Sequence, residues 1–297
     1  MRIVVAIGGN ALLERGEVPD ASTQRKRLAA AAPALRALAA EHELVLVHGN
    51  GPQVGLLAVE SASDPSLTRP YPLADLVAES QGLIGSWLQQ DLGAAGTIAT
   101  LVTQIVVDEH DPAFSQPTKF IGASYDERDA RRISGRHGWE MRRDGTVWRR
   151  VVASPRPVRV VELPAAGALL KAGVAVVMAG GGGVPVVARD DGWATVDAVI
   201  DKDFAAGLIA HELDADRLVI LTDVEGLMSD YGTPRQRLVA SARHQDLADY
   251  RAPAGSMGPK VEAAALFVAG RPGRGAAVGA LADAEAVAAG RAGTQVH

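Results

Sequence analysis

Cysteine is absent from this 297-residue chain, which excludes disulfides, cysteine-ligated zinc and a thiol nucleophile. Lysine is scarce. Only Lys26, Lys119, Lys171, Lys202 and Lys260 occur, so 25 of the 30 strong cations are arginine. Neither sign of charge is in large excess: the formal net charge is -5 and the pI is near 5.8. That balance gives no electrostatic reason for a nucleic-acid or anionic-membrane partner. No uncharged stretch reaches spanning length, and the first apolar run, Ile3 to Ile7, stops at Gly8-Gly9-Asn10 after five residues. A signal peptide and a membrane span are therefore not expected, and a cytoplasmic location is.

Several catalytic signatures are missing too. There is no Gly-x-x-x-x-Gly-Lys-Ser/Thr loop, no full Gly-x-Gly-x-x-Gly after the first apolar run, no Gly-x-Ser-x-Gly and no His-Glu-x-x-His. These gaps argue against a P-loop, a dinucleotide fold, a serine hydrolase and a zinc hydrolase respectively.

What is present is an alternation of short β-branched runs with longer Ala/Leu-rich periodic stretches, the pattern of a mostly parallel sheet covered by helices. Strands are expected at Ile3 to Ile7, Leu44 to Val47, Thr97 to Val107, Val174 to Met178, Leu218 to Leu221 and Ala276 to Leu281. Helices fit Thr23 to Ala40, Pro52 to Ser61, Leu73 to Leu92, Val196 to Leu213 and Lys260 to Ala269. Glycine clusters follow three of the strands: Gly8-Gly9, Gly49-Asn50-Gly51 and Gly180 to Gly183. In an open α/β sheet that edge is where ligands bind, and three such turns together offer backbone N–H groups to an anion of phosphate type.

Between Asp126 and Arg159 lie ten arginines and five acidic residues. Composition there favours a solvated excursion over a cationic lid, with Asp144-Gly145 at the tip of a hairpin. Lys202 stands between Asp201 and Asp203 among apolar neighbours, which suggests side chains held rather than solvated. Lys260 follows Gly258-Pro259 at a helix start, so either it faces an anionic ligand or it points to solvent.

The blocks Gly8-Gly9-Asn10-Ala11, His48-Gly49-Asn50-Gly51-Pro52-Gln53-Val54-Gly55, Pro117-Thr118-Lys119-Phe120-Ile121-Gly122, Gly180 to Pro185, Val199 to Asp203 and Gly255 to Lys260 resemble the signature blocks of carbamate kinases, in the amino-acid-kinase superfamily. The resemblance spans essentially the whole chain. It implies a single α/β domain, a three-layer αβα sandwich with a mostly parallel central sheet. The substrate half would run over about 1–180 and the nucleotide half over about 181–297, with a protruding lid subdomain at 108–159. By the same resemblance Gly8, Gly9 and Asn10 bind the transferring phosphoryl group, and His48, Gly49, Asn50 and Gly51 belong to the substrate side. Lys119, Lys202 and Lys260 neutralise phosphate oxygens and Asp203 orients the lysines. Gly181, Gly182, Asp223, Tyr231 and Met257 lie around the nucleotide. Thr222-Asp223-Val224-Glu225-Gly226 reads closer to the wider superfamily than to the best-known carbamate kinases.

The activity implied is reversible phosphoryl transfer between ATP and carbamate, giving ADP and carbamoyl phosphate, run towards ATP synthesis in fermentative arginine catabolism. Mg²⁺ is expected with the nucleotide phosphates, without protein ligands of its own, and a homodimer is expected. Two alternatives stand beside this reading: a kinase acting on another carboxylate or phosphate, such as acetylglutamate or uridylate, and a binding protein that has lost turnover. His48 to Gln53 with Pro117 to Lys119 argue against the first, and retention of Lys119, Lys202, Asp203 and Lys260 argues against the second.

Overall fold

The computed structural model describes residues 1–9, 12–13, 17–50, 52–250 and 257–297. Its first half runs β1 (Arg2–Ile7), α1 (Ala21–Glu41), β2 (Glu43–His48), α2 (Gln53–Ser63), α3 (Leu73–Leu92), β3 (Ile98–Thr100), β4 (Gln104–Val107), β5 (Lys119–Tyr125), α4 (Glu127–His137), β6 (Met141–Asp144), β7 (Val147–Val152), β8 (Pro157–Val160), α5 (Leu163–Lys171) and β9 (Ala175–Val177). The second continues with β10 (Val184–Arg189), β11 (Gly192–Thr195), α6 (Lys202–Glu212), β12 (Arg217–Thr222), β13 (Met228–Ser229), β14 (Arg237–Leu238), β15 (Ser241–Ala242), α7 (Met257–Ala269), β16 (Gly275–Ala280), α8 (Ala284–Ala288) and β17 (Thr294–Val296).

The large sheet has the order β15-β17-β16-β12-β1-β2-β9-β3 and is parallel except where β17 runs against β16. Successive residues of β1 feed opposite cores. Val4 and Ala6 pack with α6 and α7 residues such as Ile209 and Phe267, while Ile3, Val5 and Ile7 pack with α1 and α3 residues such as Leu35 and Ile84. A strand buried on both faces needs apolar residues at every position, which is why β1 reads as an unbroken apolar run. The result is helix, sheet, helix in three layers. Among the described residues no helix is long and apolar enough to cross a membrane.

A second sheet, β11-β10-β4-β8, joins β4 and β8 of the connection from β3 to β9 to the β10–β11 pair that follows it, and a third, the antiparallel β5-β7-β6, lies wholly within that connection. Asp144 faces Val147 across the turn of the β6–β7 hairpin.

Two expected elements are redrawn by tertiary pairing. The single strand at Thr97 to Val107 is two strands in different sheets. At the break, Gln81 Oε1 accepts the Thr103 N–H at 2.9 Å while its Nε2 donates to Thr103 O at 3.2 Å. Val184 N–H also donates to Thr103 O at 2.8 Å, so the chain is handed from one sheet to the next. The helix expected from Val196 begins only at Lys202. Ala198 instead bridges Ala153, and Val199 N–H donates to Ala153 O at 2.9 Å; Asp201 then caps the helix, its side chain accepting the Asp203 N–H at 2.9 Å. Helix α7 starts at Met257, three residues before Lys260.

Candidate active site

The glycine turns after β1, β2 and β9 lie together at the C-terminal edge of the parallel strands, where Gly8 N–H donates to Leu221 O at 2.9 Å. Several of these glycines are required by close approach. A Cβ on Gly49 would stand 2.8 Å from Gly9 N, and one on Gly181 (φ +66°) would stand 2.5 Å from Asn50 Nδ2. A cleft of about 840 Å³ opens over this edge, lined among others by Gly9, Gly49, Asn50 and Gly181. Lys119, Asp201, Lys202, Asp203 and Lys260 complete its charged wall.

Asp203, only 2% exposed, is the hub of that wall. Its Oδ1 accepts from Lys202 Nζ at 2.5 Å and its Oδ2 from Lys260 Nζ at 3.0 Å. Both lysines sit in the first turn of a helix, where the dipole disfavours a cation unless an anion faces it. Asp203 accepts from two ammonium groups at once, and the Asp201 carboxylate also favours the Lys202 charge. Lys260 is 5% exposed; of the two placements open to it in the sequence, solvent is not the one adopted. Burial lowers the Lys202 pKa and the Lys260 charge lowers it further, against the Asp203 carboxylate, which favours the ammonium.

Lys119, at the start of β5, donates to Asp201 Oδ2 at 2.8 Å. Burial works against ionisation of Asp201, yet the Lys119 ammonium and its hydrogen bond, with Lys202 and the Asp203 N–H, hold the carboxyl well below the usual range. Asp201 therefore ties the third sheet to the α6 N-terminus. Its part was missed in the sequence because the helix was started at Val196; an Asp directly before the helix, the N-cap preference, was the available signal.

His48 lies beneath the turns, buried, and a Cβ on Gly180 would meet its Nε2 at 2.3 Å. Its Nδ1 is 2.8 Å from Gly49 O, and a carbonyl only accepts, so Nδ1 carries the hydrogen. Burial lowers its pKa to about 4; the ring is neutral near pH 7, and its Nε2 has no hydrogen-bond partner among the described residues. Among the described residues the Asn50 Nδ2 and both side-chain polar atoms of Gln53 are also buried without partners.

Not every expected residue gathers in this cleft. Gly8 and Gly182 are buried next to it. Asp223 follows β12, with Thr222 Oγ1 donating to its Oδ1 at 3.0 Å; Tyr231 is 78% exposed in the turn between β13 and β14; Met257 opens α7. None of these three lines the cleft. Asn10 and Gly51 lie outside the described residues, as do Gly255 and Ser256. Among the described residues no group of three or more His, Asp or Glu side chains is placed to hold a metal ion.

A lysine-walled cleft above glycine turns is suited to holding a polyanion and stabilising charge that moves along it. Comparison with known proteins agrees with that chemistry. The profile of the amino acid kinase family matches residues 1–274. Carbamate kinase of Escherichia coli strain K12 is 48% identical over 295 residues, covering 98% of both chains. Two solved structures of carbamate kinase from Giardia lamblia are similar throughout. The one bound to citric acid has a TM-score of 0.91 at 35% identity, covering 99% of this chain and 97% of that one. The one bound to AMP-PNP has 0.89 at 36%, covering 99% and 98%.

Proposed function

Since the chain belongs to the amino acid kinase family, and within it to the carbamate kinases, we propose that it moves a phosphoryl group between ATP and carbamate in the cleft walled by Lys119, Lys202 and Lys260. The observation that carries this assignment is the Lys202–Asp203–Lys260 cluster facing three glycine turns.

In the forward direction a carbamate oxygen forms the new bond to phosphorus as the bond to the ADP oxygen breaks. Such a transfer needs in-line positioning and compensation of charge on the equatorial oxygens more than covalent help. The Gly8-Gly9 turn receives the transferring group, with the Gly8 N–H already given to Leu221 O and the Gly9 backbone facing the cleft; the resemblance adds Asn10 to this role. Gly49, Asn50 and Gly51 hold the carbamoyl end over His48, and Gly181 and Gly182 meet the nucleotide with Asp223, Tyr231 and Met257. Lys119, Lys202 and Lys260 follow the phosphate oxygens as charge shifts. Asp203 keeps two ammonium groups adjacent in a buried site without itself meeting phosphate.

Magnesium enters as part of the metal–nucleotide substrate. In support of this, Asp201 and Asp203 already answer lysines. Carbamoyl phosphate is an energy-rich mixed anhydride, so equilibrium favours ATP, consistent with a fermentative role in arginine breakdown. A cytoplasmic homodimer is the assembly the resemblance supports, with residues 108–159 as its lid.

The test is ATP formation from ADP, Mg²⁺ and carbamoyl phosphate, with acetylglutamate and UMP offered beside it under ATP. ATP above the spontaneous background is expected from carbamoyl phosphate alone. Binding of ADP with no ATP formed would return the chain to the class of binding proteins.

A further inference from the structure

Along β7 the side chains alternate between the two faces of the third sheet. Arg149 lines the cleft described above, and Arg150 turns the other way into a second cleft of about 530 Å³. That volume lies within the range of small-molecule sites. One wall is the third sheet and its flanks, including Trp139 and Val151; the other is the segment Arg69 to Leu73 with Asp197.

The state of Arg150 is unusual for a structural arginine. Its side chain is only 12% exposed and its guanidinium lies 4.2 Å over the Trp139 ring. The nearest carboxylate, Asp197, is 3.8 Å away, beyond hydrogen-bond distance. Its guanidinium makes no hydrogen bond to another described residue, and its nitrogens stay open to the cleft rather than sealed in the core. Burial pulls its pKa down, yet a guanidinium stays charged. A half-buried guanidinium whose donors face a cleft and meet only solvent there forms stronger, charge-assisted hydrogen bonds when an oxyanion enters.

The surrounding charges leave room for one. Arg69, exposed at the mouth, pairs with no carboxylate among the described residues. Glu140 is held by Arg142 at 2.7 Å, and Asp197 accepts the Leu73 N–H at the start of α3 at 3.3 Å. His137 lies against Trp139, ring centroids 5.1 Å apart, and an imidazole brings no negative charge. Trp139, Tyr71 and Phe114 supply flat and apolar walls.

We propose that this second cleft is a binding site for a small oxyanion carried on a flat apolar body, anchored by Arg150 with Arg69 at the mouth. An occupant would touch both the third sheet and the body of the molecule. The strand it touches continues into Ala153, whose carbonyl accepts the Val199 N–H at 2.9 Å, two residues before the Asp201 that holds Lys119. Occupancy therefore modulates turnover without competing with carbamoyl phosphate. Binding does not depend on the carbamate kinase reading; only the effect on turnover does.

Benzoate, inorganic phosphate and the uncharged benzyl alcohol are the probes, titrated calorimetrically onto the full chain. Benzoate should bind the wild type and benzyl alcohol should not. Its affinity should fall about tenfold or more in Arg150→Met, a loss of about 1.4 kcal/mol, and stay unchanged in Lys119→Met, which disarms the first cleft. Phosphate binding that also falls in Arg150→Met, while unchanged in Lys119→Met, extends the site to phosphate esters; benzoate binding without it restricts the site to carboxylates. Should Arg150→Met melt early, Arg69→Ala is the second variant, expected to weaken benzoate by a smaller factor. Benzoate binding that is undetectable, that is equal in wild type and both arginine variants, or that is lost with Lys119→Met instead, overturns the proposal.

Discussion

Lys202 and Lys171 carry the same charge in opposite settings. Lys202 is held by a buried carboxylate beside the glycine turns, and Lys171 is exposed at the end of α5. An ammonium is a compact charge that can follow a moving phosphoryl group, whereas a guanidinium is a larger planar fork. Lys202→Arg is therefore expected to lower turnover by about 10²-fold or more, roughly 2.7 kcal/mol of transition-state stabilisation, while Lys171→Arg is silent. Steady-state ATP formation by the two variants checks this, and equal silence would reduce Lys202 to a structural charge. His48 makes a separate prediction. Its folded pKa of about 4 lies below the ordinary 6.5, so its contribution to stability is complete above pH 6.5 and is lost as pH falls towards 4. The loss approaches about 1.4 kcal/mol per pH unit inside that window. Denaturant unfolding between about pH 7 and 4.5 should show a flatter acid slope in His48→Gln than in the wild type; parallel slopes would mean that the imidazole protonates without penalty.

Helix α2 and strand β5 meet at two glycines, Gly55 and Gly122, and that contact decides how near the third sheet can lie to the body. A Cβ on Gly55 would stand 2.1 Å from Gly122 Cα, a backbone atom that cannot swing aside. Gly55→Ala should displace β5, and with it Lys119, at a cost of about 1–3 kcal/mol. The expected readout is a turnover loss larger than the fall in thermal stability explains. Gly82→Ala on the open face of α3, where a Cβ meets nothing within 4 Å, should be neutral or slightly stabilising. Helices α6 and α7 show the same dependence on neighbours. Their first turns would repel Lys202 and Lys260, and it is Asp203, carried on α6 itself, that makes both placements tolerable.

Among the described residues the polar ties between the third sheet and the body include Lys119–Asp201 at 2.8 Å and the longer Arg150–Asp197 ion pair at 3.8 Å. Closure over bound substrates should slow hydrogen exchange at residues 117–122 when nucleotide and a carbamoyl phosphate analogue are present; identical exchange in free and bound protein would argue against a lid. The layered α/β architecture was legible because its signals are local and redundant: unbroken apolar strands, amphipathic helices and glycine where each strand ends. The lysines stood out for a compositional reason, their rarity among arginines, and the Gly, Lys and Asp blocks carried the family resemblance. Other features had no local signal. Sequence alone left the arginines of residues 126–159 as a solvated group, but the pleat of β7 sends Arg149 and Arg150 into different clefts. The break at Leu101 to Thr103 and the late start of α6 depend on Gln81 and Ala153, partners distant along the chain. Asp201 acquires its lysine only when β5 is brought 82 positions back along the chain. Periodicity reports which face of an element is buried; which partner meets that face, and which charge a buried carboxylate answers, follows from the packing of elements far apart in sequence.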